Sequence, residues 1–210
     1  VRYDYDARRA VQLIDGLGLT KGADGFYRDG SGERLNVELR STPGREVNEK
    51  ITLAVADFWQ SAGIGVTTVI MGNCGFGVAP TRPAHRETVV RTLENVEGMS
   101  MEALSAGIDW CFETFPQYMT ALEGRAKRLN AGAFLGHTPL RLFVLGGEER
   151  AATPDELETM RTLLREALEA GAIGFSSSPR GGPAVHAGTP STFATEEELV
   201  GLANLAAEYG

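Results

Sequence analysis

The chain is poor in cysteine and histidine: two cysteines and three histidines in 210 residues. Cys74 and Cys111 are too few for the disulfide framework of a small secreted scaffold. A reducing compartment, hence a cytoplasmic location, is the expectation. Positive charge is also in deficit, 20 Lys and Arg against 28 Asp and Glu, for a net charge of −8. With no basic patch carrying interleaved aromatics, that balance argues against nucleic acid as a partner and against anionic membrane surfaces. No apolar run approaches the ~20 residues that span a bilayer. No signal peptide opens the chain, and it begins with Val1 rather than Met, as a fragment or processed piece would.

What is present is an α/β pattern. "YDARRAVQLIDGLGL" reads as an amphipathic helix with Asp6 as its N-cap and Val11, Leu13, Ile14, Leu17 and Leu19 on its apolar face. "TKGADGFYRDGSGERL" is dense in Gly and Asp and reads as solvated turns rather than a calcium loop. "LNVELRST" alternates as a strand does, "PGREVNEKITLAVADFWQSAGI" follows as a helix closed by Gly63, and "GVTTVIM" is the next strand. Residues 35–71 therefore predict a parallel β-α-β unit with a right-handed crossover. From residue 65 onward the expected order is β-α-α-β-α-α-β-α. Its helices include one capped by Thr114, one capped by Thr153 with Glu156 in a capping box, and a last one capped by Thr195. His85 is expected to open a helix and to be solvated.

Parallel α/β sheets collect chemistry at the carboxyl ends of their strands. Here those ends read Asn73-Cys74-Gly75, Gly136-His137-Thr138 and Ser176-Ser177-Ser178. Each has a plain reading and a chemical one. Cys74 is a small buried hydrophobe or a presented thiolate. His137 is a hydrogen-bonded structural histidine, or the base of a Cys74–His137 nucleophilic pair, or one ligand of a zinc site that one Cys and one His cannot fill. The serines satisfy loop backbone or face a ligand. His186 lies in a Gly/Pro-rich loop and is either a surface residue or part of a substrate loop.

Five motifs in order, "GVTTVIMGNCGFGVAPTRP", "DWCFETFPQYMTALE", "NAGAFLGHTPLR", "ATPDELETMRTLLREALEAGAIGFSSS" and "FATEEELVGLA", resemble the N-acyl-D-amino-acid deacylases (D-aminoacylases) of the amidohydrolase superfamily. The resemblance spans about residues 65–210. It implies a metal-dependent (β/α)8 TIM barrel, present here in part, that hydrolyses the amide of an N-acyl-D-amino acid. It implies zinc as cofactor and Cys74 as a zinc ligand. It places His137 near the active site, and Ser177 and His186 near the substrate.

The same resemblance expects a His-x-His strand shortly before "GVTT", and this chain has no histidine ahead of His85. Further metal-binding histidines and the general-base aspartate of the family would lie beyond Gly210. Residues 3–64 resemble instead the C-terminal lobe of solute-binding proteins of peptide/nickel ABC transporters, marked by the Y-D helix and the G-x-Y-R-D-x-x-G-x-R-L turn. The expectation is two parts, a small α/β segment over 1–64 and a partial deacylase-like barrel over 65–210, joined as a chimera near residues 62–66. One retained ligand implies a chain without turnover of its own. The other readings are a solute-binding fragment of a peptide transporter and a fold-only chimera without activity, whose open strand edges would favour association.

Overall fold

A computed structural model of the chain describes residues 7–37, 55, 58–60, 62–66, 68–98, 100–125, 130–178 and 186–209. The elements in order are α1 (Ala7–Asp15), β1 (Thr20–Lys21), β2 (Tyr27–Arg28), β3 (Asn36–Val37), β4 (Gly65–Val66), β5 (Thr68–Met71), α2 (Arg86–Glu97), α3 (Met101–Gly107), α4 (Phe115–Glu123), β6 (Asn130–Ala133), β7 (Leu135–Gly136), α5 (His137–Leu145), α6 (Pro154–Glu169), β8 (Phe175–Ser176) and α7 (Glu196–Ala207). A 3₁₀ turn at Pro83–His85 precedes α2 and another at Pro190–Phe193 precedes α7.

The Gly/Asp-rich stretch folds as an antiparallel hairpin, β1 with β2. Its carboxylates are taken by the hairpin itself. Asp24 pairs with Arg28 and Arg34, and Asp29 accepts from the backbone N–H groups of Ser31 and Glu33, so the segment is turn chemistry as expected.

The remaining strands pair in parallel. Asn36 lies opposite Gly65 and Val37 opposite Val66, the parallel pair predicted for residues 35–71. The next ladder runs from Thr68–Asn130 to Met71–Ala133, and the last joins Leu135 to Phe175 and Gly136 to Ser176. Backbone bonds carry the segments across the gaps: Phe134 N–H donates to Met71 C=O, Ile173 N–H to Ala133 C=O, and Leu135 N–H to Gly174 C=O. Four chain segments thus lie side by side in sequence order, with helices between the later ones, as successive βα units do, while the helix expected over 43–64 falls largely outside the described residues. The described strands form two-stranded ladders and do not close a barrel. The β3–β4 ladder crosses the expected part boundary at residues 64 and 65.

Several expectations change. The strand expected over 128–137 breaks, in its described part, at Phe134, where its partner changes from β5 to β8. His137 does not end a strand but begins α5, with Gly136 as N-cap. Pro139 fits there because the first helical N–H groups have no intrahelical partner. Helix α3, capped by Ser100, makes three helices rather than two between β5 and β6. On α1 only Ile14 of the expected face is buried; Leu13 and Leu17 are 58% and 76% exposed. The Asp6 cap lies outside the described residues. His85 does cap α2, but it is half-buried rather than solvated.

The core is built by α4, α5, α6 and α7 against β6 and β7. Leu135, Leu140, Met160, Leu164 and Leu202 meet there with no side-chain surface left to solvent. The threonine caps are as the sequence predicts: Thr114, Thr153 and Thr195 each accept from the backbone N–H three residues on. Thr153 and Glu156 complete a reciprocal capping box. Thr153→Ala should therefore cost about 1 kcal/mol, read as a lower denaturant midpoint at unchanged slope. An unchanged midpoint would mean water replaces the cap at no loss.

Candidate functional site

The three strand ends converge. The tip of the "GNCG" turn after β5 sits directly on the segments that follow β7 and β8. Gly75 has φ +81°, and a Cβ built there would stand 2.7 Å from Ser178 N and 2.8 Å from the Ser177 carbonyl carbon. Gly136 is equally tight, with Gly75 O 2.8 Å from the position of a Cβ. The glycines of "GNCG" and "LGH" thus let two backbones touch. Hydrogen bonds fix the contact: Gly75 N–H donates to Ser176 Oγ at 3.1 Å, Ser176 O–H to Gly72 C=O, and Thr138 N–H to Gly75 C=O at 3.0 Å.

The structure brings all four predicted site residues into this junction, in two chains of contacts. The first begins at Cys74, which is half-buried and in no disulfide. Its carbonyl accepts from Ser178 O–H. Ser178 has one proton, so at the 3.0 Å contact with His186 Nδ1 the ring nitrogen is the donor. His186 is thereby the Nδ1–H tautomer. Its ring meets Phe76 edge-on at 4.8 Å, and burial lowers its pKa.

The second chain is deeper. His137 is fully buried and uses both ring nitrogens: Nδ1 lies 2.8 Å from Ser177 Oγ and Nε2 lies 2.8 Å from Glu198 Oε1. Arg141, one turn along α5 from His137, places Nη1 2.5 Å from both oxygens of Glu198. Burial pushes the Glu198 carboxyl up, but the hydrogen bonds from His137 and Arg141 outweigh it and hold the group below its ordinary range. Glu198 is therefore a carboxylate, which only accepts, and His137 Nε2 carries the proton. Burial lowers the His137 pKa against the opposing pull of Glu198, so the ring is neutral. Nδ1 is then a bare lone pair, and Ser177 O–H donates to it.

The Cys74–His137 pair is overturned by this geometry. Both nitrogens of His137 are engaged elsewhere, and the hydroxyl it faces is that of Ser177. The sequence reading missed Glu198 and Arg141. The signals available were the i, i+4 spacing of His137 and Arg141 on one helix face and the run of three glutamates at the start of α7.

The donor set can be tested against a zinc ion. Tetrahedral zinc needs three or four protein ligands. Among the described residues no three His, Cys, Asp or Glu side chains lie together in a way that could hold a metal. Of the three histidines, His137 has its one lone pair already engaged by Ser177 O–H. The described residues, the expected ligand Cys74 included, do not by themselves fit a resident zinc.

No family model matches the chain. Over 146 residues, 70% of its length, it is 34% identical to a D-aminoacylase of Alcaligenes xylosoxydans xylosoxydans. Over 147 residues it is 33% identical to an N-acyl-D-glutamate deacylase of the same organism. The chain spans about a quarter of the length of these relatives, 26% in each case. Solved structures agree. A D-aminoacylase described as defining a subset of amidohydrolases superposes with a TM-score of 0.51 at 27% identity, covering 82% of this chain and 32% of that one. The N-acyl-D-glutamate deacylase of Bordetella bronchiseptica, solved with zinc and a phosphonate mimic of the tetrahedral intermediate, gives 0.53 at 31% identity, covering 81% of this chain. That coverage exceeds what residues 65–210 alone can supply, so the structural likeness extends upstream of Gly65. Among the described residues no helix is long and apolar enough to cross a membrane. By sequence over most of its length and by structure over more, the chain is similar to amidohydrolase-type deacylases of N-acyl-D-amino acids.

Proposed function

We propose that the chain is a portion of a zinc-dependent deacylase of N-acyl-D-amino acids, in which it contributes one metal-binding thiolate and part of the substrate wall. The observation that carries this reading is the convergence of Cys74, Ser177, His137 and His186 at three parallel strand ends. In this reading Cys74 would be one zinc ligand, completed by others from the rest of the protein, and the metal would supply Lewis acidity toward the amide carbonyl. Ser177 and His186 face the substrate, and His137 fixes Ser177 from beneath. A partial (β/α)8 barrel of the amidohydrolase type is the matching architecture, and the side-by-side parallel order of the four segments supports it. The division into a 1–64 segment and a 65–210 deacylase part is a separate proposal, against which the β3–β4 ladder weighs.

The chain alone is expected to show no turnover of N-acetyl-D-methionine with added zinc, because no group of side chains that could hold the metal is found among the described residues. It should still recognise the substrate class. In amide and imidazole NMR spectra, N-acetyl-D-methionine should move the signals of Gly75, Ser177 and His186, and N-acetyl-L-methionine should move them less. Equal shifts with both enantiomers, or none with either, would overturn the substrate assignment. Stoichiometric zinc retention with deacetylation would overturn the incompleteness of the metal site.

A further inference from the structure

The buried chain Ser177–His137–Glu198 has the arrangement of an activated nucleophile. Such a site needs a hydroxyl within hydrogen-bond reach of a base, and a third group that orients the base. All three are present. Ser177 Oγ is 2.8 Å from His137 Nδ1, and His137 Nε2 is 2.8 Å from Glu198 Oε1. The ring is further fixed by an edge-on contact with Phe175 at 5.1 Å. Arg141 holds the carboxylate and is itself anchored to the Arg150 carbonyl. The base is rigid, neutral and of one tautomer, with its lone pair aimed at the serine proton. Ser177 itself is half-buried, with its backbone against Gly75 of the "GNCG" turn. Constellations of this kind are recognised by geometry and role, whatever the chain order or the ring nitrogen used.

We propose that Ser177 is a nucleophile activated by His137, with Glu198 as the positioning residue of the base, and that it accepts acyl groups from activated esters without a metal. In the acylation step Ser177 Oγ forms a bond to the ester carbonyl carbon, and its proton passes to His137 Nδ1. The bond from that carbon to the leaving oxygen breaks, its electron pair stays with the leaving group, and His137 Nδ1–H protonates the alcohol or phenol as it departs. Water then attacks the acyl carbon, gives a proton to His137, and the Ser177 oxygen leaves with that proton restored. The net change is ester plus water to acid plus alcohol. Glu198 stabilises the transient imidazolium that burial and Arg141 disfavour.

The test uses the whole chain in EDTA with an alkyl fluorophosphonate, which transfers a phosphonyl group to activated serines and expels fluoride. One phosphonyl group on Ser177, located by peptide mass spectrometry, is expected, with none on Ser177→Ala. His137→Gln should slow labelling about 100-fold or more. Because EDTA removes metal, this result is independent of the deacylase reading and survives its failure. An imidazole ¹⁵N spectrum covers the case in which His137→Gln does not fold. His137 should show a protonated Nε2 and a bare Nδ1, and Glu198→Gln should release some of the Nδ1–H tautomer and slow Ser177 labelling with it. No adduct at Ser177 under excess probe, equal labelling in His137→Gln, or an Nδ1–H tautomer in the unmodified chain would each overturn the proposal.

Discussion

Glu198→Ala should cost the chain about 3–5 kcal/mol of folding stability, because it strands a buried guanidinium. Arg141 is 1% exposed and Glu198 likewise 1%. The two lie 2.5 Å apart with no solvent to replace either. Without the carboxylate, Arg141 Nη1 loses both of its acceptors and His137 Nε2 loses its only one. Arg141 Nε already has no partner among the described residues, so the guanidinium starts with one buried donor unpaired. Against a total stability of order 5–15 kcal/mol, that loss decides whether the chain folds at all. Urea unfolding of both proteins measures it. A loss under about 1 kcal/mol would mean that water reaches Arg141 and that the pair is not a buried one.

The same network sets a pH dependence with a definite sign. His137 and Glu198 both have folded-state pKa values below their ordinary ones. Below about pH 6.5 the unfolded chain takes up a proton at His137 that the folded chain refuses, and below about 4.5 it does so at Glu198 as well. The unfolded state then binds more protons, so stability is full above the ordinary imidazole value and falls as the pH drops through that window. His137→Gln should flatten the upper part of this acid limb. A limb that starts only below pH 5 in the unmodified chain would show that His137 is not held neutral.

Much of the fold follows from local chemistry that a sequence displays. Thr114, Thr153 and Thr195 stop their helices on the N-terminal side because a threonine oxygen can satisfy an orphan N–H, and Pro116 and Pro154 suit first turns that need no donor. The strand "GVTTVIM" follows from a β-branched run, and its parallel partner from the alternation in "LNVELRST". That Cys74, His137 and Ser177 would come together was legible because parallel topology puts strand ends on one side. Glu198 was not. It stands third in the helix behind Thr195, where a glutamate ordinarily turns back to the N-cap as Glu156 does. Its side chain instead turns inward to His137 and Arg141, a choice made by the packing of α7 on α5 and invisible in "TEEEL". Leu13 and Leu17 fail in the opposite direction: a helical period marks an apolar face, but only a neighbour makes it a buried one. The Phe134 break is tertiary too, since it marks the point where one strand exchanges neighbours.

Gly75→Ala should lower stability by about 2–4 kcal/mol, and it should damage the strand-end junction before it damages the core. Two costs combine. At φ +81° an L side chain adds the strain of the left-handed region, about 1–2 kcal/mol. The new methyl would also stand 2.7 Å from Ser178 N and 2.8 Å from two Ser177 atoms, all backbone, which cannot swing aside as a flexible side chain can. Relief therefore has to come from parting the "GNCG" turn from the Ser177–Ser178 segment. That movement would break the bond from Gly75 N–H to Ser176 Oγ and the Ser178 link to Cys74 and His186. The Leu135–Leu164–Leu202 core is built from other side chains and should keep its amide exchange protection. Gly98→Ala is the control for strain alone, because Gly98 has φ +67° and nothing within 4 Å of a Cβ. The difference between the two variants isolates the backbone contact. Equal losses at Gly75 and Gly98, with His186 signals unmoved in Gly75→Ala, would show that the turn does not rest on Ser177 and Ser178 in solution and would remove the geometric basis for placing Cys74 beside them.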